Sequence, residues 1–274
     1  MPDQRSIVTR TAGKRHGPIT RLMSPGDVGQ LTRPFVFLDY IDAPRDGGPR
    51  FGFHPHSGIA TLTFPLNFDT QHETSEGQVD TVEQGGIEWV VTGGGIWHKA
   101  QPLNGGERLL GFQLWLSLPP LLEVAPPSAR FIQPSSVPRA GPVRVLLGRY
   151  GQAASPIDVP IDANIFWVQL SDGEQWSYAP PPGHAVGWAF AQSGSLHAGG
   201  AVLRRELAVF EAGSAPIEFQ AEGDCGFLVG SAVPHPYELV LGQYSVHTSA
   251  AALAVGTRRI AQIGQQLRRD GLNS

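Results

Sequence analysis

Short apolar runs recur along the chain, most of them closed by Gly, Pro, Asn or Asp. The first half carries Phe35-Val36-Phe37-Leu38, Ile59–Phe64, Ile87–Val91 and Gly111–Leu116. The second carries Ile165–Leu170, Val186–Phe190, Leu207–Phe210, Ile217-Glu218-Phe219 and Gly226–Val229. Runs of this length between turn residues predict strands of a sandwich or barrel. Prolines at 119, 120, 126, 127, 134, 138 and 142 mark a stiff extended connector. The expected layout is therefore an N-terminal β domain over 1–133, a Pro-rich linker over 134–142, and a second β domain over 143–274. The period changes near the end. Leu253, Ile260, Ile263 and Leu267 fall on one side of a helix that Thr248 or Ser249 can cap, with Arg258, Arg259, Arg268 and Arg269 in its later turns.

Composition agrees with an all-β chain. Charged residues make up only 16%, while 34 glycines and 24 prolines supply many turns. A net charge of −4 leaves no basic footprint for direct nucleic-acid binding. The single cysteine, Cys225, excludes an intrachain disulfide framework. No uninterrupted apolar run reaches membrane-spanning length, so no membrane association and a cytoplasmic location are expected.

The chemistry gathers at three histidines. Proline holds His54-Pro55-His56 extended, and residues two apart on a strand face the same way. His98, on a neighbouring strand, would complete a set of three nitrogen ligands suited to Zn, Fe, Ni or Cu. The second half looks like a distant copy of the first. Its Gly183-His184-Ala185-Val186 occupies the place of His54-Pro55-His56-Ser57, yet it has no His-x-His and nothing matching His98. Only the first copy is expected to hold a site.

Leu38-Asp39-Tyr40, Phe53–Gly58, His72-Glu73, Gly93–His98 and Gly111–Pro119 resemble, in order and spacing, the signature of the pirin family of the cupin superfamily. Tyr237–Val240 and Gln243–Thr248 resemble its closing motif. The resemblance implies two stacked jelly-roll (cupin) barrels, with a C-terminal segment returning to brace the N-terminal one. It also implies one divalent transition metal, iron first, with Ni, Zn, Cu, Co or Mn as alternatives to it and a metal-free state as the other outcome. Pirins hold the metal with both histidines of His-Pro-His, a third histidine, and a glutamate two residues beyond. The histidines carry over to His54, His56 and His98. The glutamate does not, because Ala100 stands in its place.

Three neutral imidazoles leave a divalent ion its full charge, so Fe(II) is expected to bind less tightly than with the carboxylate. Gln101 is adjacent and would reach the metal as a fourth ligand only through a bulge. Glu88, on a preceding strand, is a candidate carboxylate behind a ligand histidine or a catalytic base, and Glu73 is a second candidate base. His72 reads as structural or at the cavity rim, and His184, His197, His235 and His247 as surface or core residues. Gly93-Gly94-Gly95 reads as a tight turn that delivers His98. Trp89, Trp97 and Trp115 read as core aromatics, with room for one at the pocket mouth.

Two functions follow from the resemblance. One is a metal-dependent oxidoreductase of the quercetin 2,3-dioxygenase type, acting on a small aromatic, flavonol-like ligand. The other is a non-catalytic, pirin-like regulatory protein that docks onto a protein partner, with or without metal.

Overall fold

The apolar runs form strands where the pattern places them, and the strands assemble into two β units of the cupin type. The computed structural model describes residues 5–47 and 51–271. The units do not follow the expected consecutive division at 134–142. One contains Arg15–Gln30, Phe35–Ser136 and His235–Ser274; the other contains Met1–Lys14, Leu31–Pro34 and Val137–Pro234. Both chain ends have thus changed sides. Ile7–Thr11 leaves its neighbours in sequence and pairs antiparallel with Leu207–Phe210. Arg5 fastens it there, donating from Nε to the Glu211 carbonyl at 2.7 Å and from Nη2 to the Ala185 carbonyl at 2.6 Å. Such pairing is non-local, so periodicity carries no trace of it.

The unit with the three histidines is built, among the described residues, on two main sheets and a two-stranded one of Val240–Gly242 and Ser245–His247. The larger runs in the order Ser128–Ile132, Ile87–Val91, Ile59–Pro65, Arg108–Ser117, Phe35–Pro44, Ile19–Met23 and Lys14–His16. The smaller runs Phe51–His56, Ile96–Pro102, Thr70–Thr74 and Val79–Val82. Phe35, Leu38, Leu62, Phe64, Trp89, Phe112 and Leu114 are buried in this unit. The register of the larger sheet aligns a row of polar residues. Glu88 pairs with Thr63, Thr63 with Gln113, Gln113 with Asp39, and Asp39 with Arg21. Residues paired directly across strands project to one face. A polar stripe therefore crosses an otherwise apolar sheet.

The C-terminal segment completes this unit. Helix α1 spans Ala250–Arg269, and Ser249 caps it by accepting a hydrogen bond from the Ala252 amide at 3.2 Å. Thr248, the other expected cap, instead donates its hydroxyl to Glu123 at 2.6 Å. Leu267 is buried as the pattern predicts, but Gly256 and Gly264 are buried beside it. A Cβ on Gly264 would stand 2.5 Å from the Trp97 ring, and one on Gly256 would collide with Ser57. Glycine at these turns lets the helix backbone lie against the strands that carry the histidines. No helix among the described residues is long and apolar enough to cross a membrane.

The other unit has a nine-stranded sheet around Val186–Ala198, Ile217–Ala232 and Ala163–Leu170. Its buried cluster includes Phe166, Val168, Trp176, Tyr178, Phe219 and Phe227.

Candidate metal centre

His54 and His56 lie on the edge strand of the smaller sheet, where Pro55 costs no ladder hydrogen bond. In the register, His54 is directly opposite His98 and His56 is opposite Ile96. All three imidazoles thus leave the sheet on one face, as the strand argument predicts. Their ring centroids are 4.5 to 5.1 Å apart. One ligand nitrogen from each lies within 4.8 Å of the others.

Hydrogen bonds fix which nitrogen is presented. His54 Nδ1 contacts the Gly52 carbonyl at 2.8 Å, and His56 Nδ1 contacts the Tyr244 carbonyl at 3.0 Å. A carbonyl can only accept, so each Nδ1 carries the proton and Nε2 holds the lone pair. Nε2 of His56 and of His98 are buried without a hydrogen-bond partner. Burial, followed by the charge of His98, lowers His54 to about 4. Burial and the neighbouring His98 and His54 hold His56 well below the usual imidazole range. Neutral, convergent imidazoles with orphaned lone pairs are what a divalent transition metal requires.

Ala100 is opposite His72 on the adjacent strand and helps line a small, mainly apolar cavity of about 30 Å³ with Thr63, Phe68 and Leu109. Gln101 does not replace the missing glutamate. The strand does shift register between His98 and Ala100, but Gln101 stays exposed and donates to Gln71 Oε1 at 3.0 Å. Glu73 is turned to the same outer side and pairs with Lys99 at 2.7 Å, which excludes it as the base. Strand alternation decides both: one residue beyond an inward position faces outward.

Glu88 is fully buried behind His98. Its Oε1 lies 2.7 Å from His72 Nδ1 and 3.5 Å from His98 Nδ1, and its Oε2 accepts from the Thr63 hydroxyl at 2.6 Å. Burial would raise its carboxyl, but the charge of His72 and the contacts with His98 outweigh it and hold the group well below the carboxylate range. The open cleft is elsewhere. It measures about 670 Å³, and His54, His56, Arg21, Asp39, Gln113 and Trp115 are among its walls. Glu88 does not line it; it stands behind His98, away from the cleft. Phe37 and Trp115 stack at 3.9 Å, and the Arg21 guanidinium sits 4.0 Å over Phe37. Burial raises the Asp39 carboxyl although Arg21 pairs with it at 3.0 Å.

Two features escaped the sequence reading. Ser57 Oγ is 2.9 Å from His247 Nε2, and His247 Nδ1 is 3.1 Å from Glu123 Oε2. The order resembles a nucleophile triad, yet all three side chains are almost wholly buried. It is a clamp that ties the C-terminal segment to the residue following His56. The second is the His72–Glu88 pair, for which the inward alternation of each strand was the available signal. The glycine turn behaves as expected: Gly93 and Gly95 take φ of 50° and 147°. Of the three tryptophans, Trp89 is core, Trp115 walls the cleft, and Trp97 donates from Nε1 to the Ile260 carbonyl of α1 at 2.7 Å.

Comparison with known proteins adds a family. A family model described as Pirin matches residues 18–116. A Vibrio cholerae protein named "Putative quercetin 2,3-dioxygenase" is 30% identical over 218 residues, covering 74% of this chain and 77% of its own. The crystal structure of quercetin 2,3-dioxygenase from Acinetobacter baumannii superimposes with a TM-score of 0.86 at 21% identity, covering 95% of this chain and 98% of that one. A bacterial pirin from Escherichia coli, solved in complex with nickel(II), gives a TM-score of 0.64 at 20% identity, covering 86% and 100%. At these identities the two structures speak for the fold alone.

Proposed function

The chain belongs to the pirin family, and on that premise we propose that it is a dioxygenase of the quercetinase type, with His54, His56 and His98 holding one divalent transition metal. The observation that carries this reading is the convergence of three imidazoles, two of which, His54 and His56, wall an aromatic-lined cleft. Iron is the first choice of metal. When bound, the ion supplies Lewis acidity to an anionic flavonol oxygen and a place for O2 to react.

The chain's own residues do the rest. The Gly52 and Tyr244 carbonyls hold His54 and His56 in the ligating tautomer. Glu88 Oε1 faces the Nδ1 of His98 at 3.5 Å, without an aligned hydrogen bond, and its charge favours a proton on that nitrogen. Trp115 and Phe37 offer a flat apolar wall to an aromatic substrate, and Arg21 offers a cation to its oxygens. Asp39, with its raised carboxyl in the same cleft, is placed to take the substrate hydroxyl proton.

The test is oxygen uptake with quercetin by protein loaded in turn with Fe, Ni, Co, Mn, Cu and Zn. Turnover is expected with at least one metal and is lost in His56→Ala. Asp39→Asn keeps metal but loses rate, with a changed pH profile. Absence of turnover with every metal overturns the enzyme reading. Ala100 favours the second reading, a regulatory pirin acting through a protein partner, and that reading gains if metal binds without turnover.

A further inference from the structure

Behind His98 lies a group of polar atoms that the three-histidine site does not use. Nδ1 and Nε2 of His72, Oε1 of Glu88 and Nδ1 of His98 are all buried without an aligned hydrogen-bond partner. The 2.7 Å between His72 Nδ1 and Glu88 Oε1 is an ion-pair distance, but it lies off the hydrogen-bond direction. Unmet buried polar atoms are destabilising, so their convergence is costly unless something joins them. The side chains come from three strands, Thr70–Thr74, Ile87–Val91 and Ile96–Pro102. One ligand atom from each lies within 4.8 Å of the others. Two imidazoles and one carboxylate form a donor set that suits Fe(II) and serves Zn as well.

We propose that His72, Glu88 and Nδ1 of His98 form a second site for a divalent transition metal, on the opposite ring nitrogen of His98 from the His54–His56 position. The proposal rests on the three-histidine reading only in that His98 is shared. Glu88 cannot be the fourth ligand of the first site, because the two nitrogens of one imidazole point away from each other. It supplies a carboxylate to this chain's metal chemistry from the other side of the ring. With both sites filled, His98 would hold one ion on each ring nitrogen, its Nδ1 proton released to solvent.

The spacing is compatible with this occupant. Metal–donor bonds of about 2.0–2.2 Å place tetrahedral ligands roughly 3.4 Å apart. Glu88 and His98 already stand at 3.5 Å. The His72–Glu88 pair must open by roughly 0.7 Å to reach that tetrahedral spacing. Room lies alongside: the cavity of about 30 Å³ is lined by Ala100, which is opposite His72, and by Thr63, which is bonded to Glu88. Gln113 lines both this cavity and the open cleft.

The test is the stoichiometry of metal-free protein titrated with Zn²⁺ and, separately, with Co²⁺, whose visible bands report the donor set. Bound ion is counted by elemental analysis after desalting, and circular dichroism confirms the fold of each variant. The wild type is expected to hold two ions per chain, while Glu88→Gln, His72→Asn and His56→Ala each hold one. A wild type that binds one ion, kept in Glu88→Gln and lost in His56→Ala, overturns the second site and leaves the first standing. One ion kept in His56→Ala and lost in both Glu88→Gln and His72→Asn supports the second site and removes the first. Two ions retained by both Glu88→Gln and His72→Asn place the second ion elsewhere and overturn the proposal, as does a wild type that binds none.

Discussion

Each of the two β units carries a buried histidine, with opposite fates. In the second unit His184 is buried with both nitrogens met, Nδ1 by Ser231 and Nε2 by Asp162, each at 2.8 Å. In the first, His56 keeps one nitrogen on a carbonyl and leaves the other bare. The interior of the second unit is filled by Phe166, Trp176, Phe219 and Phe227. Around His56 the smaller sheet presents His54, His72 and His98 inward, and the larger one answers with Glu88. A barrel that meets both nitrogens of its interior histidine from within its own core becomes a structural block. One that leaves several unmet needs an ion or a ligand to complete it. The first unit also needs an outer support, and the clamp of Ser57, His247 and Glu123 together with α1 supplies it.

Substitutions in the two interiors should therefore give opposite readouts. The largest effect is expected from Phe166→Ala in the second unit. It costs about 3–5 kcal/mol of stability, measured by urea unfolding, with metal content unchanged. Lost metal would show that the two interiors are not independent. His56→Ala is expected to do the converse. Metal affinity falls at least about 100-fold, roughly 2.7 kcal/mol, by competition with a chelator, while the metal-free Tm holds because a bare buried nitrogen has been removed.

Acid should discriminate between the units as well. His54 is lowered to about 4 in the folded chain, against 6.5 for a free imidazole. Between those values the unfolded chain binds the extra proton, so stability is lost as pH falls from 6.5 toward 4 and is constant above. The Tm of metal-free protein should drop by several degrees across that window, and in His54→Gln the drop should shrink. An equal drop in both proteins would assign the acid sensitivity to another group. The smallest effect concerns the position where this chain departs from its family. Ala100→Glu is expected to tighten Fe(II) at the three-histidine site about tenfold, roughly 1.4 kcal/mol. Unchanged affinity would mean that position 100 does not reach the metal.

Much of this was legible in the residues themselves. Strand positions, the all-β class and the inward set of His54, His56 and His98 follow from apolar runs, turn residues and a period of two, because these are local properties of the backbone. The lack of a carboxylate at Ala100 was equally plain. The same alternation, applied one residue further, turns Gln101 and Glu73 outward. Register, however, is not local. Which strand lies opposite which decided that His72 faces Ala100 and that Glu88 reaches His98 from the other sheet. It also decided that both chain ends cross to the other unit. The clamp joins residues 57, 123 and 247, and α1 is seated through Gly256 and Gly264, which a hydrophobic pattern passes over. The sequence alone determined the inward set of three histidines and the absence of a carboxylate at position 100. Only the tertiary structure decided where the nearest carboxylate stands, because that depends on pairing between strands far apart in the chain.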